Sequence, residues 1–356
     1  MEITHHLDKK RIIQNLILEF IDDIDNIEEI YVNIMKEFKE QKIPQKKSKL
    51  REFLYLILRI ANNHHRLTDF LSKIEIILLS LKTEIKQTFS NSQIFTIFKS
   101  NKRILLFLIK EEILILDQSI VNAITKGKYI VKNYPDYFSS EIKKFKGEKI
   151  DLNEGEFDEK RKIGENDNYI CEIIRNDFIE EFIIFVNKMN LSLSSQINYS
   201  IFETNNFLLK RKSCSYIQYA AFCGSTQIFK YLYFNKACFD ESIWAFAVHS
   251  DNPELIQFLV GTGFDFSSSI FNEILIESIK CHHNEIICYF QKNLMDDKIE
   301  DCEEIIAQSI KYSNYNYFPN DLRNCYYFYF LCKYNFVSLV KALIKKDLIS
   351  IDTKII

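Results

Sequence analysis

Apolar residues recur at every third or fourth position from the start of this chain. Ile13, Leu16, Ile17, Phe20, Ile24, Ile27, Tyr31, Ile34, Met35 and Phe38 follow that spacing, which predicts one or two amphipathic helices ahead of Pro44. Residues 49–61 and 67–89 read as further helices, with Asn62, Asn63, His64 and His65 as a solvated polar turn between them. Residues 93–117 carry a different pattern: a short apolar helix, a polar turn at 99–102, then a second helix with Ile104, Leu105 and Leu108. That pattern returns three times in residues 215–290, as SYIQYAAFCGSTQIFKYLY, IWAFAVHSDNPELIQFL and EILIESIKCHHNEII.

The second helix of each unit sets a register. Phe185, Leu232, Leu259, Phe290 and Leu343 take equivalent positions, at intervals of 47 (232 − 185), 27 (259 − 232), 31 (290 − 259) and 53 (343 − 290). The two central intervals suit a helical repeat of about 33 residues. The long ones imply insertions, at 190–214 and around 296–320, the latter with room for a degenerate unit on Ile305, Ile306 and Ile310. A helix pair cannot hide its apolar face alone, so such units stack. Small residues belong where helices approach, the place of Ala220, Ala221 and Ala247; Gly224, Asp251 and His282 take the tight turn. Asn252 followed by Pro253 and Glu254 is a helix start: cap, proline at the first position, then an acid.

Composition agrees. The chain has 356 residues, of which only 7 are Gly and 4 are Pro, too few for a turn-rich β-architecture. Segment 143–168 is dense in charge and holds three of the glycines, so it reads as a linker or exposed loop. The expected organisation is an N-terminal helical region at 1–142 with a degenerate repeat at 93–117, the linker, and a repeat array at 169–356. A net charge of −3 makes nucleic acid an unexpected partner. The apolar run from Arg103 to Val121 is broken by Lys110, Glu111, Glu112 and Asp117, so no membrane span is expected. The N-terminus has no apolar leader pattern, and the nine cysteines form no Cys-x-x-Cys pair. Reduced thiols in an intracellular, cytoplasmic protein follow.

The phrase YAAFCGSTQIFKYL resembles the core of the ankyrin consensus. IGENDNYICEIIRND, SLSSQINYSIFETNNFL and ESIKCHHNEII, in that order, resemble a large, trichomonad-like family of ankyrin-repeat proteins of unicellular parasitic eukaryotes. The resemblance covers about 170–345 in broken form. It implies an all-α repeat solenoid that binds proteins and carries no catalytic activity or cofactor. The chain departs from the ankyrin pattern in lacking Thr-Pro-Leu-His, and its Gly-His turn survives only as Gly224-Ser225.

In such an array the contact surface is the concave side. By register that is Phe222, His249 and Lys280 at the first-helix ends, with Asn235, Lys236, Phe239, Thr262, Phe264, Asp265 and Asn293 on finger loops. Cys281, His282, His283 and Cys288 invite a zinc reading. The register accounts for them as turn and second-helix residues, so no metal is expected. Phosphate loops, Gly-x-Ser-x-Gly and His-Glu-x-x-His are absent, and no enzyme is expected. Tyr312 to Phe318 and Tyr326 to Phe330 read either as core or as an aromatic contact surface. The array closes without a polar cap, which calls for a partner at its end or a truncated gene product. The rival organisation is a regulatory or catalytic N-terminal domain to which the array is an adaptor.

Overall fold

A computed structural model describes residues 2–23, 25–66, 69–126, 134–149, 154–211, 213–263, 268–294, 303–319 and 321–345. Among these the fold is all-helical, with 72% helix and a single isolated antiparallel bridge between Gln196 and Ser215. Contacts group the chain into two units: residues 90–277, and residues 1–89 together with 278–356. This division differs from boundaries at 142 and 169. Helix Glu154–Ile163 lies inside the segment expected to be a linker, and its Arg161 is fully buried.

Within residues 90–277, short helices alternate with tight turns. Tyr216–Cys223 opens with a capping box in which Ser215 and Gln218 satisfy each other's backbone N–H groups. It ends at Gly224, whose φ of 71° places it in the left-handed region. The N–H of Gly224 then bonds to the Ala221 carbonyl and that of Ser225 to the Ala220 carbonyl, which closes the helix end. A Cβ on Gly224 would meet Asn252 Nδ2 at 3.2 Å, so glycine is favoured here by both φ and space. Asp177, Asp251 and His282 adopt the same conformation at the equivalent turns, as do Ser313 and Asn335 further on. The intervals between 177, 224, 251 and 282 equal those of the second-helix register, because each turn fixes the start of the helix after it.

Side chains beside these turns tie one unit to the next. The Asp177 carboxylate accepts from the N–H groups of Gln227 and Ile228, both at 2.9 Å. Ser225 Oγ donates to the Ile174 carbonyl. Asn252 Oδ1 caps its own helix at Leu255 N–H (3.1 Å), and its Nδ2 donates to the Gly224 carbonyl (2.8 Å). Ala220, Ala221 and Ala247 are fully buried, where helices Tyr216–Cys223 and Ile243–Ser250 pack together.

Segment 93–117 forms helices Asn91–Phe98 and Lys102–Lys110 around a turn capped by Asn101. Helix Lys102–Lys110 ends as later second helices do. Glu112 takes the left-handed conformation, as Asn190 and Lys236 do, and the N–H of Ile113 reaches the Leu108 carbonyl. Arg161 gathers this part of the unit. Its guanidinium donates to the Tyr137 carbonyl (2.9 Å) and to Glu141 (2.6 Å), pairs with Asp158, and lies over Phe157.

In the other unit, helices Glu2–Asp22 and Lys47–Asn63 pack against Val337–Lys345. Arg11 donates to the Tyr315 carbonyl (3.0 Å) and Gln14 accepts from the Tyr315 N–H (2.7 Å). Glu52 bridges Lys10 and both the N–H and the hydroxyl of Ser338. The last described helix, Val337–Lys345, is therefore covered by the N-terminal helices. Where a degenerate unit was expected near 296–320, helix Glu303–Tyr312 forms with Ile305, Ile306 and Ile310 buried. In place of a second α-helix there is one 3-10 turn, Tyr315–Tyr317.

Candidate functional site

The first-helix ends that the register assigns to a partner are occupied from within. The insertion after helix Ile179–Lys188 returns through a short helix, Asn206–Lys210, and buries Phe207. That ring stacks on His249 at 4.8 Å and on Phe222 at 5.8 Å, and meets Phe246 edge-on at 4.9 Å. The Arg211 guanidinium lies 4.2 Å from Phe207 and 4.4 Å from Phe246. His249 is 1% exposed. Its Nε2 accepts from the Asn205 amide (3.3 Å), so its Nδ1–H is the group that faces Glu277 (3.2 Å). Phe222 is half-buried in this stack. The expected contact role of His249 is therefore corrected: the chain's own insertion packs on it.

The remaining expected contact residues are scattered. Asn235 and Lys236 are exposed, with Lys236 at a left-handed turn, while Phe239, Thr262 and Lys280 are half-buried. Phe264 and Asp265 lie outside the described residues. Asn293 belongs to helix Asn284–Leu294 rather than to a loop, and its side chain is not described.

The two aromatic groups divide. Tyr315 and Phe318 are core residues, packed on each other at 4.9 Å and on Phe336. Helix Cys325–Lys333 is different. Tyr326, Tyr327, Phe328, Tyr329 and Phe330 stand in succession, and only Leu331 of the whole helix is buried. Tyr329 is 39% exposed. Five consecutive aromatics cannot all face one way on a helix, so some of this surface must meet solvent or another molecule.

The histidines depart furthest from expectation. His64 ends helix Lys47–Asn63 in an extended conformation and is buried, not solvated. Its Nδ1 lies 2.6 Å from the Cys281 carbonyl, an acceptor only, so Nδ1 carries a proton. Its Nε2 lies 3.0 Å from Asp22 Oδ1. His65 directs Nε2 toward the same carboxylate oxygen (3.9 Å) and Nδ1 toward His283 Nε2 (3.0 Å). The three ring centroids are 4.4, 5.1 and 5.0 Å apart. Burial works against ionising Asp22, but His64, His65 and Lys73 outweigh it and hold its carboxyl below the usual value. His282, beside this group, is buried without a hydrogen bond of good geometry to either ring nitrogen, and burial pushes its imidazole down to about 3. Cys281 is buried and Cys288 is exposed. The sequence cluster Cys281, His282, His283 and Cys288 thus separates, and only His283 enters the histidine group.

The buried thiols are inert by environment. Burial pushes Cys171 up to about 12, and raises Cys214 and Cys223 as well. Among the described residues no helix is long and apolar enough to cross a membrane. No family model matches this chain, nor does any curated protein or solved structure.

Proposed function

We propose that this chain is a non-enzymatic protein-binding scaffold of the ankyrin-like kind, and that helix Cys325–Lys333 is its principal contact surface. The observation that carries this is the run Tyr326 to Phe330, five aromatics on one helix of which none is buried. Tyr and Phe are enriched where proteins meet, because each combines a large apolar ring with little conformational entropy to lose. The recurring left-handed turns at Asp177, Gly224, Asp251 and His282 support the repeat reading. The concave first-helix ends at Phe222 and His249 are set aside as contacts, since Phe207 covers them. The rival reading, a separate N-terminal regulatory or catalytic domain, loses ground for a physical reason. Residues 1–89 share one compact unit with 278–356 and are bonded to it through Arg11, Gln14 and Glu52.

Affinity capture from the source cell with the intact chain and with a Phe328→Ser/Tyr329→Lys variant tests the proposal. The variant must keep its circular dichroism spectrum and unfolding midpoint. Loss of a defined set of captured proteins is the expected outcome. An unchanged set from a folded variant rejects the surface.

A further inference from the structure

Three helix ends converge at the histidine group: Glu2–Asp22 supplies Asp22, Lys47–Asn63 supplies His64 and His65, and the turn after Ser268–Cys281 supplies His283. We propose that His64, His65 and His283 form a zinc site, with the Asp22 carboxylate beside it, that clips residues 64–65 and 283 together.

Four features carry it. First, one ligand-capable nitrogen from each histidine lies within 4.8 Å of the others. Two zinc–imidazole bonds of about 2.0–2.1 Å at a tetrahedral angle separate their nitrogens by roughly 3.4 Å. The present 3.0 Å between His65 Nδ1 and His283 Nε2 and the spread across the group close on that value with small ring rotations. Second, His64 is prepared as a ligand. Its Nδ1–H is committed to the Cys281 carbonyl, which leaves Nε2, held 3.0 Å from Asp22 Oδ1, as the nitrogen that a cation takes in exchange for a proton. A backbone carbonyl holding the far ring N–H is how metal-binding histidines are oriented. Third, Asp22 Oδ1 faces the Nε2 atoms of both His64 and His65 and supplies the charge that a divalent cation needs. The nearby Lys73 ammonium does not compete for it, because it is bonded to the carbonyls of Ile21 and Asp23. Fourth, His283 and His64 are buried, so the group sits among packed helix ends rather than on a solvated surface.

Three imidazoles, with solvent in the fourth position, form a tetrahedral set that suits zinc and its spectroscopic substitute cobalt(II), and the Asp22 carboxylate beside them offsets the charge. Its ligands come from positions more than 200 residues apart in the chain (283 − 65 = 218), so it fastens the N-terminal helices to the turn at His282–His283.

The test uses the full chain, stripped with a chelator and dialysed against zinc or cobalt(II). One equivalent of zinc per chain is expected, with a higher unfolding temperature when loaded. Cobalt(II) should give the visible bands of a tetrahedral site without near-ultraviolet thiolate charge transfer, since no cysteine is a ligand. His65→Ala, at the more exposed position, should weaken zinc binding by more than about 100-fold, the upper end for losing even an outer-shell partner. The metal-free unfolding temperature of that variant should stay near that of the metal-free parent. His5→Gln/His6→Gln, at the N-terminus, should bind zinc as the parent does. Substoichiometric metal, thiolate charge transfer, or unchanged binding by His65→Ala would each overturn the assignment.

Discussion

Asn252 performs two tasks that can be separated by substitution. Its Oδ1 caps helix Pro253–Gly261 at the Leu255 N–H, and its Nδ2 reaches back 2.8 Å to the Gly224 carbonyl of the preceding turn. Serine caps a helix about as well as asparagine, but its hydroxyl is too short to reach the neighbouring turn. Asn252→Ser therefore removes the inter-unit bonds of Nδ2, to the Gly224 carbonyl and, more weakly, to Thr226 Oγ1, and keeps the cap. A hydrogen bond of this kind contributes about 1 kcal/mol, and the half-buried Gly224 carbonyl is left without that donor. Asn252→Ala removes the cap as well, adding about 1 kcal/mol for a total of roughly 2 kcal/mol. Trp244 is the chain's single tryptophan, buried in the helix just before Asn252, so its fluorescence reports on this unit. Urea titrations followed at Trp244 should rank parent above Asn252→Ser above Asn252→Ala at a common denaturant slope. If Asn252→Ser matches the parent within about 0.3 kcal/mol, the inter-unit bond contributes nothing and the reasoning from turn-to-turn tethering fails.

Other outcomes follow from the same structure. Arg161→Met strands the Glu141 carboxylate beside an apolar side chain and should destabilise residues 90–277 by about 3–5 kcal/mol in the same titration. Asp158 is held below its ordinary value of 3.8: burial opposes this, but Arg161 and Lys110 outweigh it. Its stabilising contribution is complete above the unfolded value and disappears as pH falls through the folded one, so acid titration below pH 4 should weaken the parent more than Asp158→Asn. Phe207→Ala should open the stack on Phe222 and His249 at a cost of about 3–5 kcal/mol and raise hydrogen exchange in Tyr216–Cys223. At pH 8 a thiol reagent should label Cys238, Cys288, Cys325 and Cys332 quickly, and Cys171 and Cys214 only as the protein unfolds, as read by peptide mapping.

The helical periodicity and the positions of the tight turns were legible because both are local. A left-handed turn residue followed by a cap and a helix leaves its mark within a dozen positions, as at Gly224-Ser225 and Asp251-Asn252-Pro253. The same logic exposed helix Glu303–Tyr312 through Ile305, Ile306 and Ile310. It could not foresee that a 3-10 turn, Tyr315–Tyr317, would follow it, since that turn is shaped by Arg11 and Gln14, about 300 residues away. The charged segment 143–168 misled for a related reason. Arg161 looks solvated in sequence, and Glu141, Asp158 and the Tyr137 carbonyl together make its burial tolerable. Phe207 carried no signal of its destination inside an insertion. His64 and His65, next to Asn62 and Asn63, read as a polar turn; their partners Asp22 and His283 lie far off in the chain. The adjacent pair of histidines was the one local hint of a ligand group, and the more conspicuous Cys281-His282-His283 run drew attention from it.

The central claim, a scaffold that meets its partner through helix Cys325–Lys333, is tested most directly by hydrogen exchange on the complex with a captured protein. Slowed exchange concentrated in 325–333, lost together with binding in Tyr329→Lys, is the predicted result. Slowed exchange confined to 215–223 and 243–250, with 325–333 unchanged, would contradict it.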